Sequence, residues 1–364
     1  MQRREFLKKS SVGLAAGAAT AAASAPALAQ SAPAIKWRLA SSYPKSLDTI
    51  YGAGEMVANR VAQLTEGRFK IQVFAGGEIV PALQVLDAVQ QGTVECGHTT
   101  SSFYVGKNRA FAFDTVVPFG LPPRQQMAWM YYGGGLPLMR ELFKEYGVVN
   151  FPCGNTGAQM GGWFRKEINT LADLKGLKMR IPGLGGEVLS RLGAVPQNIP
   201  AGDVYAALEK GAIDATEWVG PYDDEKLGFY KVAKYYYAPG WWEPSAQVTL
   251  VVNAKEWEKL PKSYQYALDV ACAEANMHML AEYDAKNPLA LAKLLKAGVQ
   301  LKRFSNEIMV AAQKAAFDFY NEEAGRNPTF KKIYSEWEKF RRNEQAWFSV
   351  NDAAIEQFMY SHNK

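Results

Sequence analysis

Cysteine and histidine are scarce in this chain of 364 residues, with three of each. Cys96, Cys153 and Cys272 form no CxxC pair, so at most one disulfide can join them, and buried free thiols are the expected state. His98, His278 and His362 lie far apart, which leaves no zinc-type ligand cluster. The chain also lacks a GxSxG elbow, an HExxH pair and a P-loop, since Gly106-Lys107-Asn108 stands without the rest of that motif. Nucleophilic hydrolysis, zinc-protease chemistry and nucleotide binding therefore have no support in the sequence. No segment beyond the N-terminal region has the length and apolarity of a membrane span.

An excess of one charge is missing too. The formal charge is +5, but Arg3, Arg4, Lys8 and Lys9 against Glu5 account for three of those units, leaving +2 for the remainder. A nearly balanced chain gives no footprint for nucleic acid. Those early charges open MQRREFLKKS, which runs into a Gly/Ala-rich stretch closing on Ala27-Leu28-Ala29, a small-x-small cleavage site. Residues 1–29 thus read as a twin-arginine type export signal, with a mature periplasmic protein starting near Gln30. The competing reading, an uncleaved anchor, needs a longer and less small-residue-rich run. The remaining chain of roughly 335 residues exceeds the size at which one core keeps growing, so two lobes are expected.

What is present is a rhythm of short β-rich runs and helical ones. IKWRLASS, a helix from about Ser46, FKIQVFAGG, a helix from about Pro81 and VECGHT form a first α/β set. VVNFP, GAQMGGWFRK, GLKMR, AVPQNI and AIDATEW form a second. AVQQGTVEC at 88–96 and ALEKGAIDA at 207–215 echo each other as helix end, glycine and strand, through true repetition or through chance recurrence of a common unit. Ligands of open α/β sheets bind beyond the carboxyl ends of strands, here His98 to Tyr104 and Thr216 to Trp218. After Asn253 the chain is mostly helical: Asn287-Pro288 is expected to open a helix, Gly298 to end it, VQLKRF to form a strand, and long helices to start at Ser305 and Pro328. The amphipathic run IYSEWEKFRRNEQAWFSVNDAAIEQF is read as a packing brace, with a partner surface as the alternative.

The segment Thr156–Gly183, TGAQMGGWFRKEINTLADLKGLKMRIPG, sets Arg180 at the end of a short strand bracketed by glycines. A guanidinium held stiffly there can meet a carboxylate with two parallel hydrogen bonds, which a lysine does poorly. Further on, IDATEWVGPYDDEKLGF carries Glu217 and Trp218, and GWWEPS carries Trp241, Trp242 and Glu243. At these three places, and from about Ile35 to the C-terminus, the chain resembles the periplasmic solute receptors of the TRAP (tripartite ATP-independent periplasmic) transporters. The resemblance is to the branch that binds 2-oxo and 2-hydroxy monocarboxylates.

That resemblance implies an α/β, two-lobed periplasmic binding protein with crossing hinge strands and long C-terminal helices. On it, lobe I spans 30–155 plus 247–290, and lobe II with the C-terminal helices spans 156–246 plus 291–364. It implies a non-catalytic receptor in which Gln159 and Arg180 hold the ligand carboxylate. Glu217, Glu243 and the backbone carbonyl of Trp218 bind a sodium or calcium ion. Tyr104, Phe103 and one of the paired tryptophans, Trp242, are placed against the ligand. The partners implied are a small organic acid and integral-membrane permease subunits, with a homodimer through the C-terminal helix as in some relatives. Ser101, Ser102 and Val105 stand where such receptors carry bulkier aromatic residues, which leaves room for a longer ligand side chain.

Charge counting points the same way. Arg180 brings one positive charge against Glu217, Glu243 and a bound carboxylate, so a proton or a cation must compensate. A hard cation would suit a 2-oxo or 2-hydroxy acid, which can chelate it through its carboxylate and adjacent oxygen. Three other readings stay open at this point: a receptor for a C4-dicarboxylate or sugar acid, a sensory receptor domain, and a hydrolase or lyase using Glu217 and Glu243 as an acid/base pair.

Overall fold

The structure is a computed structural model that describes residues 33–362; the export signal expected over residues 1–29 lies outside them. In chain order the strands are β1 (Ile35–Ser41), β2 (Phe69–Phe74), β3 (Cys96–Thr99), β4 (Val148–Asn155), β5 (Gly162–Phe164), β6 (Lys178–Arg180), β7 (Val195–Gln197), β8 (Ala215–Thr216), β9 (Tyr235–Ala238), β10 (Gln247–Asn253) and β11 (Gln300–Arg303). The first helices are α1 (Asp48–Leu64), α2 (Val85–Gln90), α3 (Ala112–Thr115), α4 (Pro123–Tyr131) and α5 (Gly135–Glu145). They are followed by α6 (Gly183–Arg191), α7 (Ala201–Glu209), α8 (Pro221–Leu227), α9 (Ala254–Lys259), α10 (Lys262–Lys296), α11 (Asn306–Arg326), α12 (Pro328–Val350) and α13 (Asp352–His362).

Two sheets result, ordered β2-β1-β3-β10-β4 and β11-β9-β5-β8-β6-β7. In the first, β1 and β3 run parallel while β10 is antiparallel to both β3 and β4. In the second, β6 lies parallel to β7 and β8, and β5 antiparallel to β8 and β9. This is the two-lobed α/β architecture. The chain leaves the first sheet after β4 and returns to it in β10, and where the two crossings meet Thr156 N donates to Ala246 O at 3.0 Å and Ala246 N to Thr156 Oγ1 at 3.1 Å. β10 is buried along its whole length, as a central strand with covered faces must be.

The internal echo of the sequence has a structural counterpart. Gly92 after α2 and Gly211 after α7 adopt φ of 73° and 71°, which ends each helix in the left-handed region and turns the chain into β3 or β8. Gly162 is required for another reason. It has φ 85°, and its ideal Cβ would lie 2.3 Å from Thr216 O, so only glycine lets β5 approach β8 this closely.

An expectation about helix starts is overturned. Asn287-Pro288 does not open a helix; Pro288 sits inside α10, a single helix of 35 residues. An internal proline costs about 3 kcal/mol through its missing N–H and ring clash. Packing outweighs it: α10 buries Leu268, Cys272, Met279, Tyr283 and Leu294, and each large apolar side chain contributes roughly 1.5–3 kcal/mol.

The C-terminal helices begin where the sequence suggested, with Ser305 and Asn327 side chains accepting from Ile308 N and Phe330 N. The brace reading holds for the start of α12, where Phe330, Ile333 and Trp337 are buried and the Phe330 and Trp337 rings lie 5.0 and 5.5 Å from Phe113. This contact brings residues 328–337 onto α3, whereas the expected division grouped them with residues 156–246; the aromatic cluster around Phe113 draws the helix back across. Beyond it, α13 buries no residue, and Ile355, Phe358, Met359 and Tyr360 are exposed. Among the described residues no helix is long and apolar enough to cross a membrane. Cys96, Cys153 and Cys272 are buried free thiols.

Candidate functional site

Strand ends build the site. β6 ends on Arg180, paired in register with Gln197 of β7 and Thr216 of β8, and the chain after β8 delivers Glu217 and Trp218 beside it. Arg180 is 1% exposed. Its Nε donates to Ile199 O at 3.1 Å and its Nη1 to Glu217 O at 3.0 Å; Nη1 also pairs with Glu217 Oε1. The guanidinium lies over the Trp218 ring, 4.9 Å from its centroid. Three acceptors and a ring thus hold it, leaving Nη2 as the guanidinium nitrogen with no hydrogen bond inside the protein. The two-pronged grip expected from the sequence is therefore not freely available, because Nε and Nη1 are already engaged.

Gln159 and Glu243 are joined by a close backbone approach. Gly240 N donates to Gln159 O at 3.0 Å, and an ideal Cβ on Gly240 would come within 2.7 Å of the carbonyls of Gln159 and Met160. Glycine is required there, and it carries the tight Gly240–Glu243 turn across the base of the site. Gln159 Nε2 donates to Thr156 Oγ1 at 3.1 Å. Gln159 Oε1 and Glu217 Oε2 are both buried without a partner. Burial pushes the Glu217 carboxyl well above the usual range, against the pull of Arg180, and Glu243 and Asp224 raise it further. Burial likewise pushes Glu243 up to about 7, opposed by Arg180 and Gln159. These carboxylates are short of positive charge.

Opposite them, the first sheet contributes uncharged groups. Tyr43, after β1, hydrogen-bonds through its hydroxyl to Thr100 Oγ1, after β3. The short turn Ser101–Tyr104 is anchored by Asp114, which is fully buried and accepts from Ser101 Oγ at 2.5 Å, Thr249 Oγ1 at 2.6 Å and Asn150 Nδ2 at 2.9 Å. Ser102 N donates to Thr115 Oγ1 at 3.0 Å, while Ser102 Oγ is buried without a partner.

Between the two sheets lies a cavity onto which Gln159, Arg180, Glu217, Trp218, Glu243 and Phe103 all open. Two expected residues do not. Tyr104 turns away, its hydroxyl accepting from Leu86 N at 3.2 Å and bonding Thr99 Oγ1 at 2.8 Å; successive residues of a tight turn point to different sides, so Phe103 faces the cavity and Tyr104 the core. Trp242 is likewise in the core, 5.5 Å from the Phe304 ring, and its neighbour Trp241 stacks on Phe119 at 5.2 Å. Thr100 and Ser102, from the His98–Tyr104 stretch expected at a strand end, line the cavity too, while sequence reading missed Tyr43, Ile50 and Thr156, which also line it. The rule about carboxyl ends of strands, applied to β1 as well as β3, would have found Tyr43. Among the described residues no group of three or more His, Cys, Asp and Glu side chains is placed to hold a metal ion, so a cation here would need backbone and ligand oxygens as well.

Two α/β lobes on crossing strands, enclosing an arginine and two glutamates, form the cleft of a small-molecule binding protein. The chain matches the DctP family, described as bacterial extracellular solute-binding protein family 7, over residues 40–326, and it belongs to that family. It is 53% identical over 99% of its length to a monocarboxylate 2-oxoacid-binding periplasmic protein of Nostoc sp., covering all of that protein. Among solved structures, a TRAP transporter solute-binding protein of Bordetella bronchiseptica, a dimer of mixed occupancy with copurified calcium and picolinate, is 56% identical. Its TM-score is 0.89, with 90% of this chain and 98% of that one covered. TRAP solute-binding proteins of Colwellia psychrerythraea, with calcium and pyruvate, and Pseudoalteromonas atlantica, with sodium and pyruvate, are each 40% identical with TM-scores of 0.86. They cover 89% of this chain and 99% and 98% of their own.

Proposed function

We propose that this receptor captures a small 2-oxo or 2-hydroxy monocarboxylate together with a sodium or calcium ion and delivers it to the membrane permease of a TRAP transporter. The observation that carries the reading is the set of buried acceptors, Glu217 Oε2 and Gln159 Oε1 without partners beside a Glu243 carboxyl raised to about 7. Glu217, Glu243 and the Trp218 carbonyl would hold the cation, which when bound supplies the missing positive charge and open coordination positions for ligand oxygens. Arg180 Nη2 would take the ligand carboxylate, helped by Gln159. Phe103, Tyr43 and Ser102 would close over the remainder of the acid. The relatives named above, with pyruvate beside calcium or sodium, support this reading.

The test is calorimetric titration of metal-stripped protein in sodium-free buffer, then with sodium, then with calcium, using pyruvate, lactate, a branched 2-oxo acid and succinate. Cation-dependent binding of the monocarboxylates is expected; preference for succinate would move the reading to dicarboxylates. Equal affinity in all three buffers would remove the cation from it.

The division of the chain we adopt is residues 30–155 plus 247–290 for lobe I and 156–246 plus 291–364 for lobe II, with residues 328–337 reaching back to lobe I. Export through the signal at residues 1–29 is checked by Arg3→Lys with Arg4→Lys, which should leave precursor in the cytoplasm. A homodimer through the C-terminal helix is favoured by the exposed Phe358, Met359 and Tyr360 of α13. Light scattering of Phe358→Glu should then show a smaller particle than wild type.

A further inference from the structure

The segment carrying Glu217 and Trp218 is gripped from behind by two carboxylates that do not reach the cavity. Asp223 and Asp224, in the first turn of α8, are both fully buried. Asp223 Oδ2 accepts from Trp218 Nε1 at 3.3 Å and from Tyr283 Oη of α10 at 2.7 Å. Asp224 accepts from Trp163 Nε1 at 3.0 Å, Tyr236 Oη at 2.7 Å and Val219 N at 3.3 Å. All these donors are neutral. Burial pushes Asp223 up to about 6 and Asp224 up to about 7, so neither carboxylate sits in a favourable electrostatic environment. Buried carboxylates paired only with neutral donors are weak evidence for stabilisation of the fold. Their geometry therefore needs another reason, and Trp218 supplies one. Its indole is pinned between the Arg180 guanidinium, 4.9 Å from its ring, and the Asp223 carboxylate at its ring nitrogen.

We propose that Asp223 is a positioning residue for the cation site: by tying the Trp218 indole to Tyr283, it holds Trp218 in place, and with it the backbone carbonyl that the reading above gives to the cation. This inference rests on the cation-binding reading above. Metal-ligand orienters outside the coordination shell typically tune affinity by about 10–100-fold when removed. Asp223 acts on a backbone ligand, through the side chain of the same residue, and the hydrogen bond to Tyr283 anchors that control in the longest helix of the protein.

The experiment is calcium titration of metal-stripped full-length mature protein by calorimetry, with tryptophan-sensitised terbium luminescence as a second readout. The variants are Asp223→Leu, which keeps the approximate size and removes the acceptor shared by Trp218 and Tyr283, Trp218→Phe and the two combined. Each single change should weaken calcium binding about tenfold. The combined variant should lose no more than either alone, because both remove one interaction. Sensitised terbium emission should fall in Asp223→Leu as the indole swings. If Asp223→Leu does not fold, Tyr283→Phe, which removes only the second donor, should still weaken calcium binding measurably, by less than Trp218→Phe does. Calcium affinity unchanged in Asp223→Leu, or in Tyr283→Phe where that variant stands in for it, overturns the proposal. So do losses that multiply in the combined variant. A wild type that binds neither calcium nor sodium sinks the cation reading itself, an outcome distinct from a wild type that binds and an Asp223→Leu variant that binds equally well.

Discussion

The two walls of the cavity are built by the same kind of element and do different chemistry. On the second-sheet side, strand ends and a tight turn present Arg180, Glu217, Glu243 and Gln159, four groups that are charged or amide-bearing, and all buried. On the first-sheet side, the equivalent strand ends present Tyr43, Thr100, Ser102 and Phe103, with Ile50 from α1. No charge comes from that wall. A charged wall fixes where an anion and a cation sit, since Coulombic and charge-assisted contacts strengthen where water is excluded. The neutral wall adds shape, hydroxyls and the removal of water. Recognition and closure are thus separable: the first follows the electrostatics of one lobe, the second the fit of the other.

Removing charge from the charged wall is the strongest way to break this division. Arg180→Lys should cost at least about 2 kcal/mol of ligand binding, because an ammonium cannot keep contacts with Ile199 O and Glu217 while offering a further donor. Stability should fall as well. Arg180 and Glu217 are each 1% exposed and paired, and disturbing one member of a buried pair leaves the other uncompensated. Calorimetry and thermal melts measure the two losses side by side. Near-normal affinity in this variant would place the carboxylate anchor elsewhere.

Next in size, Glu217→Gln and Glu243→Gln should each weaken cation and ligand binding together, on the order of tenfold for each, because linkage makes the coupling reciprocal. A loss confined to the ligand, with calcium affinity intact, would show that the glutamates touch the acid and not the cation. An equivalent neutral-wall change, Ser102→Ala, should leave calcium binding alone.

How much of this asymmetry could be read in the chain itself depended on what carried the signal. Arg180, Glu217 and Glu243 stand in long distinctive segments, and all three open on the cavity. Gly92 and Gly211 announced their helix ends through the backbone conformation that glycine tolerates, and both lie at φ near 70°. The neutral wall was harder. Tyr43 and Thr100 are 57 residues apart and meet through the parallel pairing of β1 and β3, a tertiary event with no local pattern. Phe103 and Tyr104 are adjacent, so only the phase of a short turn decides which faces the cavity. Trp242 has the size and polarity of a ligand platform, yet it fills the core beside Phe304. Pro288 misled because a local rule about helix starts was outweighed by packing along a 35-residue helix.

A third and milder effect concerns protons in the metal-stripped protein. Asp223 is raised to about 6, Glu243 and Asp224 to about 7, each first by burial. A carboxyl whose folded pKa exceeds its unfolded value near 4 binds its proton more tightly in the folded state. Its favourable contribution is therefore complete below the unfolded value and is lost as pH rises through the folded one. Thermal stability measured in chelator should then decline between about pH 4 and pH 8. Calcium should flatten that decline, because it favours the ionised glutamates. A melting temperature that rises over this interval in chelator would mean the carboxylates already have their compensation within the protein.

The smallest effect is expected at the rim, where the two walls touch. Asp48, at the start of α1 and two residues before Ile50, accepts from Tyr222 Oη at 2.9 Å, pairs with Lys226 and lies 3.7 Å from Lys286 Nζ. Tyr222 and Lys226 belong to α8, directly after the Glu217–Trp218 segment, so this cluster bridges a helix of the first-sheet side and the loop of the charged wall. The Asp48 side chain is 54% exposed, which limits such pairs to about 0.2–1 kcal/mol and makes them sensitive to salt. Asp48→Asn should therefore lower ligand affinity by no more than about fivefold in dilute buffer, with scattering showing a larger population of open molecules without ligand. At high salt the wild type should converge on the variant. Equal affinity of the two at low salt would assign closure to the buried neutral wall alone, and the contrast between a wall that recognises and a wall that closes would then hold without any electrostatic link across the rim.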